Sequence, residues 1–193
     1  MKLASTLFKY FLGIAAVCLV VITLFPCCRS RVSARNSSCQ SNLKQIGLAF
    51  RQYSQDYDKR LPLSQTSSSS GWADSLQLYA KSWEIFNCPE NRREIVGNLT
   101  DYFYNQQLAG AKLKTISFPS VTILAGDGNL DASSYANISS LPQGWHDYRK
   151  SPAYRHMDGA NYVFVDGHAK WFKHEKVTAK KPHTTDDYTF LPR

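Results

Sequence analysis

The side chains best able to do chemistry lie towards the C-terminus: His156, Asp158, Asp166 and His168, with Asp127 upstream. Imidazole nitrogens and carboxylate oxygens are donors that a divalent cation accepts. Asp127, Asp158 and Asp166 are therefore the metal candidates. Asp158 and Asp166, however, each precede a glycine. An aspartate in an Asp-Gly turn usually satisfies its side chain on nearby backbone. A histidine at a fixed distance from such a turn commonly staples it by hydrogen bonding. Structural roles are thus expected ahead of a metal site, and no cofactor is required. Catalysis has less support still. The chain contains no Gly-x-Ser-x-Gly, no His-Glu-x-x-His and no phosphate-binding loop, which are the common motifs of hydrolase and nucleotide chemistry. A non-enzymatic protein is expected, with no catalytic residue.

Five cysteines add a second chemistry. Cys18, Cys27 and Cys28 lie in or at the end of an apolar run, where they act as small hydrophobes or lipidation candidates. Leu24-Phe25-Pro26-Cys27 is a poor lipidation site, with bulky residues before the cysteine. Cys39 and Cys88 remain, and an oxidising compartment would permit them to pair. Sequence does not fix the Cα separation that a bridge requires. No Cys-x-x-Cys pair occurs with a matching histidine partner, so a structural zinc site is not expected.

The N-terminus sets the compartment. From Tyr10 to Cys28 the chain reads YFLGIAAVCLVVITLFPCC, without a charge. As a helix this run rises roughly 28 Å, close to the thickness of a bilayer's hydrocarbon core. Lys2 and Lys9 precede it and Arg29, Arg31 and Arg35 follow, so flanking charge does not set an orientation. A cleaved signal peptide ending at Val32-Ser33-Ala34 is the competing reading. Two arginines between the apolar run and that site favour a retained anchor. Either way the remainder is exported.

The 193 residues suffice for one domain plus an anchor. Formal charge is +8, with basic clusters over 29–35, 44–60 and 170–181. Such a field could favour nucleic acid, anionic lipid or an acidic partner, but a plain soluble basic surface is the expected reading.

Several elements position these residues. Cys39, Leu43, Ile46, Phe50, Tyr53 and Tyr57 recur at gaps of four and three, one stripe of an α-helix. The pattern predicts a helix from about Lys9 to Tyr57, with a weak spot at Asn36-Ser37-Ser38 and a stop before Pro62. Residues 65–71 read as a Ser-rich loop, and 72–83 as a short second helix. Strands are expected at 101–104 and 121–125, with polar, irregular chain over 129–150. Asp158-Gly159 and Asp166-Gly167 each suit a two-residue type I′ turn, which predicts a three-stranded meander. Tyr162, Phe164, Ala169 and Trp171 would then share the face turned towards the Leu43, Ile46 and Phe50 stripe. The expected class is α+β, a long helix packed on a small antiparallel sheet. Its segments are an anchor (1–28), an amphipathic continuation (29–61), a globular domain (62–173) and a basic, polar tail (174–193).

His156, nine residues and then Asp166-Gly167 resembles the His-x9-Asp-Gly motif of prepilin-type-processing-associated proteins. Gly159, Asn161 and His168 match the same string. Residues 39–49, Asp56, Arg60-Leu61-Pro62, Phe86-Asn87-Cys88-Pro89, Tyr104-Asn105 and Pro119-Ser120-Val121 resemble that family's other blocks. The resemblance covers roughly 39–172. It implies a type IV pilin-like, pseudopilin fold on a single-pass anchor in the bacterial cytoplasmic membrane, with the C-terminal domain outside. It implies type II secretion or type IV pilus proteins as partners, and an assembly role. Some pseudopilins bind calcium in a C-terminal loop, which would make Asp127, Asp158 or Asp166 the oxygen donors. One departure is plain. Processed pilins carry a Gly-Phe cleavage site and a glutamate early in the apolar helix, whereas Gly13 precedes Ile14 and the first acidic residue is Asp56. The alternative function is an anchored extracytoplasmic binding module for DNA, an envelope polymer or an acidic protein.

Overall fold

A computed structural model describes residues 2–24, 28–91, 99–128, 133–178 and 188–192. The chain divides into two compact units, 1–34 and 35–193.

In the first unit α1 (Lys2–Leu24) has 23 residues, a rise of about 34 Å. Its described side chains, 6–21, are all exposed, with Leu7 at 61% and Phe11 at 69%. A helix apolar on every side normally lies in a protein core or in lipid. Among the described residues, no helix is long and apolar enough to cross a membrane. The expected continuity of one helix through 25–27, and the candidate lipidation site at Cys27, fall outside the described residues.

α2 (Cys28–Asp56) passes through Asn36-Ser37-Ser38 without a break. In the second unit its apolar stripe is buried: Cys39, Leu43, Ile46 and Phe50 are at most 1% exposed. The helix ends where Asp58 and Lys59 take positive φ and the Lys59 N–H donates to the Ser54 carbonyl at 2.8 Å. A shorter helix, α3 (Trp72–Ala80), follows. It starts where Asp74 Oδ2 accepts the Gly71 N–H at 2.7 Å. The Tyr79 hydroxyl donates to Asp56 Oδ2 at 2.8 Å, and that bond pushes the phenol up to about 12.

The sheet has β1 (Tyr102–Asn105), β2 (Ile123–Asp127), β3 (Asn137–Ile138), β4 (Ala160–Phe164) and β5 (Ala169–Phe172), in the order β3-β1-β2-β4-β5. The β1–β2, β2–β4 and β4–β5 pairings are antiparallel, but β3 lies parallel to β1. The sheet is therefore mixed, where a small antiparallel one was expected. β3 comes from the segment read as irregular, and two residues are too short a run for alternation to show. The fold class is α+β.

Each sheet face has its own core. On one, Leu43, Ile46 and Phe50 of α2 meet Trp72, Tyr102, Tyr104, Leu124 and Val163. On the other, Phe103, Ile123, Tyr162, Phe164 and Phe172 pack with Phe190 and with Trp145 of α4 (Gln143–Asp147). A parallel pair, β6 (Val177–Thr178) and β7 (Tyr188–Thr189), adds Tyr188 to the second core. Phe190 is 1% exposed, so part of the segment read as a tail is core.

Two expectations about the last strands are corrected. The β4–β5 loop has three residues, not two: the Phe164 N–H donates to the His168 carbonyl and the Gly167 N–H to the Phe164 carbonyl, both at 2.9 Å. Gly167 takes φ +92° there, the arrangement of a type I turn closed by a left-handed residue. Val163 consequently stands opposite Ala169, and a one-residue shift in pairing exchanges faces. Val163, Val165 and Ala169 pack with the α2 core, whereas Tyr162 and Phe164 face away. Space favours this arrangement. A Cβ on Gly47 of α2 would lie 2.7 Å from Val163 Cγ2, which leaves no room for a ring.

The Asp158-Gly159 pair closes no hairpin between two strands. A 3-10 turn (Pro152–Tyr154) stands before it instead of a strand, so the meander is two strands. The tight turn is centred on Met157 and Asp158, whose φ values are 53° and 65°. His156 and Gly159 exchange backbone hydrogen bonds across it at 2.8 and 3.1 Å.

Candidate functional site

The β1–β2 register places Tyr102 opposite Asp127, which brings Asp101 and Asp127 to one end of the sheet. Both carboxylates are at most 1% exposed. Burying such a charge is costly unless it is paired and hydrogen-bonded, and both are well supplied. Asp127 Oδ2 accepts the Asn161 N–H at 2.6 Å, and Arg155 Nη1 lies 3.4 Å from Oδ1. The same Arg155 nitrogen donates to the Asp101 carbonyl at 2.9 Å. Asp101 Oδ2 accepts the Cys88 N–H at 2.8 Å.

His156 is fully buried beside this pair. Its Nε2 stands 3.3 Å from Asp127 Oδ2 and 3.4 Å from Cys88 Sγ. Among the described residues Nδ1 has no hydrogen-bond partner. Its backbone is held as well: Trp171 Nε1 donates to the His156 carbonyl at 2.7 Å. Cys88 is bonded to Cys39 of α2, with Cα atoms 5.1 Å apart. Asn161 Nδ2 donates to Asn36 Oδ1 at 2.8 Å, and Asn42 Nδ2 to the Asn87 carbonyl at 2.9 Å. Sheet, α2 and the 86–91 segment are therefore clamped at one place. Burial, reinforced by the charge of Asp127, holds the Tyr102 phenol well above its usual range.

The other motif residues lie elsewhere. Asp166 Oδ1 accepts the His168 N–H at 3.1 Å and stands 2.6 Å from His168 Nδ1. The His168 ring stacks on Phe164 at 4.3 Å. Asp158 faces Arg149 at 3.7 Å, both well exposed. Asp127, Asp158 and Asp166 thus have three separate sets of partners, and none of these sets unites them as oxygen ligands. Among the described residues, the His, Cys, Asp or Glu side chains that do converge are Cys39, Cys88 and His156, whose donor atoms lie within 4.8 Å of one another. Sequence reasoning did not anticipate Asp101 or Asn36 in the cluster. Neither belongs to a motif, and only strand pairing and helix packing bring them in. Arg155 was visible as the neighbour of His156.

A separate cleft of about 290 Å³ lies where Phe50 and Arg51 of α2 meet Leu113, Val165 and Asp166. Its walls are mainly apolar side chains, with the exposed Arg51 and Asp166 supplying charge.

No curated protein and no solved structure matches this chain. One family profile does, over residues 29–127, a span that holds α2 from its second residue, the Cys39–Cys88 bridge and both buried aspartates but stops short of His156. Since that span is half of the sequence, the chain belongs to the family described as "Protein of unknown function (DUF1559)".

Proposed function

We propose that this protein is a membrane-anchored, pilin-like component of a type II secretion or type IV pilus-like apparatus, acting by subunit packing and without catalysis. The observation that carries this reading is α2, whose apolar stripe is buried against a sheet. α1 supports it, since its described side chains are exposed although mostly apolar. Such a surface calls for lipid or for the apolar helices of other subunits. The Cys39–Cys88 bridge is in keeping with an oxidising, extracytoplasmic location for the second unit, and hence with a single pass through the cytoplasmic membrane. Photo-crosslinkers at Leu12 and Val17, introduced in native membranes, test the reading. Adducts with secretion or pilus subunits are expected; a monomer that extracts cleanly and forms no adduct sinks it.

The alternative of an anchored binding module draws on the charge of +8. A polyanion partner predicts DNA binding that weakens steeply with salt, because phosphate contacts release counterions. Absence of DNA binding at low salt disposes of that version of the alternative.

A further inference from the structure

We propose that Cys39, Cys88 and His156 form a zinc-binding site when the bridge between the two cysteines is reduced. The argument rests on three donors brought together from distant parts of the chain. Cys39 comes from α2, Cys88 from the segment before β1, and His156 from the turn before β4. All three are at most 3% exposed. Their donor atoms lie within 4.8 Å of one another.

Donors about 2.0–2.3 Å from a tetrahedral zinc stand roughly 3.3–3.8 Å apart. His156 Nε2 and Cys88 Sγ, at 3.4 Å, already have that spacing. The two sulfurs do not, being bonded to each other, and the Cys39 sulfur lies within 4.8 Å of the imidazole donor, so reduction must let Cys39 adjust. Oxidation and metal binding therefore exclude one another. A dithiol reductant supplies two electrons and two protons to the bridge and becomes a disulfide itself, leaving Cys39 and Cys88 as thiols. Zinc binding then releases both thiol protons, since the metal takes thiolates. Thiolate and imidazole are the donors that suit zinc, and a buried site favours neutralisation of the two sulfur charges by the cation. Asp127 Oδ2, 3.3 Å from Nε2, or a water can take the fourth position. Sequence spacing alone could not reveal such a site, because the ligands form no Cys-x-x-Cys pair.

The test uses the full chain in detergent with Cys18→Ser, Cys27→Ser and Cys28→Ser, so that the other three cysteines bind nothing. The protein is reduced with dithiothreitol, desalted without air and titrated with Co²⁺ and then Zn²⁺. The reduced form is expected to take one Co²⁺ with thiolate-to-metal charge-transfer absorption, displaced by Zn²⁺ with release of two protons. The oxidised form is expected to take none. His156→Gln should weaken zinc binding by about a hundredfold or more, the loss of a ligand costing at least what loss of a supporting residue does. Reduced protein without stoichiometric cobalt absorption overturns the proposal, as does equal affinity in His156→Gln. If that variant does not fold, the ring ¹⁵N resonances of the protein with His156 intact decide. A zinc-dependent shift of Nε2 supports the site, and its absence overturns it.

Discussion

Asp158-Gly159 and Asp166-Gly167 stand at opposite ends of the β4 region, the first before the strand and the second in the loop after it. The same dipeptide serves two purposes. At Gly167 the need is conformational: φ is +92°, and a Cβ there would meet nothing within 4 Å. At Gly159 the need is space, since a Cβ would lie 2.6 Å from the Trp171 indole. The surroundings differ to match. Asp166 and His168 satisfy each other at an exposed tip, whereas His156 and Asp127 are enclosed in a network that joins sheet to helix. A motif of regular spacing thus has one buried end that fixes tertiary structure and one exposed end that only turns the chain.

The largest contrast should come from the two aspartates. Asp127→Ala leaves the Arg155 guanidinium, itself only 9% exposed, without its carboxylate. Breaking a buried pair in this way costs about 3–5 kcal/mol, enough to unfold many domains. Asp166→Ala at the exposed tip should stay within about 0.5 kcal/mol. Urea midpoints of the two variants measure the difference. Similar losses would mean that burial is not what distinguishes the two ends.

Reduction of the bridge comes next. Cys39 and Cys88 are 49 positions apart, and constraining an unfolded loop of that length contributes about 4 kcal/mol on the chain-entropy account. Cys39→Ala with Cys88→Ala should lower the melting temperature in metal-free buffer, and dithiothreitol should then have no further effect. An unchanged melting temperature would remove the bridge from the clamp. The glycines sharpen the same comparison at smaller cost. Gly159→Ala must push the Trp171 ring away from its bond to the His156 carbonyl, an overpacking cost of about 1–3 kcal/mol. Gly167→Ala carries only left-handed strain, about 1 kcal/mol. Trp171 fluorescence should respond to the first substitution and not to the second.

Sequence made some of this legible and hid the rest, for physical reasons. The Leu43, Ile46 and Phe50 stripe was plain because helical period is written into local spacing. The Asp-Gly pairs marked both turns, but the turn at Asp158-Gly159 is centred one residue earlier than expected and the loop at Asp166-Gly167 is one residue longer. Whether positive φ falls on Gly167 or on Met157 and Asp158 depends on what the flanking residues must reach. That one-residue difference decided which side of β4 meets α2, and the rings of Tyr162 and Phe164 went to the other core. The buried cluster was least legible. Asp101 meets Asp127 only through the β1–β2 register, and Cys88 and His156 meet from positions 68 apart in the chain.

A final, smaller effect extends the comparison of buried and exposed positions to a second histidine environment. His174 is 5% exposed, its ring 4.6 Å from that of His146 and its Nε2 3.3 Å from the Tyr154 hydroxyl. Burial first, then the charge of His146, holds the imidazole below the usual 6.5; Glu175 pulls the other way, and Lys173 adds a smaller push downward. The unfolded chain therefore takes up this proton at a higher pH than the folded one. Stability from this group is complete above about pH 6.5 and is lost as pH falls below that value towards the depressed folded one. Urea midpoints measured from about pH 7.5 to about pH 5.5 should decline on the acid side, and His174→Gln should flatten part of that decline. A slope unaltered by the substitution would mean that enclosure at this position does not govern the titration, and that the contrast between buried and exposed groups holds only for the clamp around Asp127.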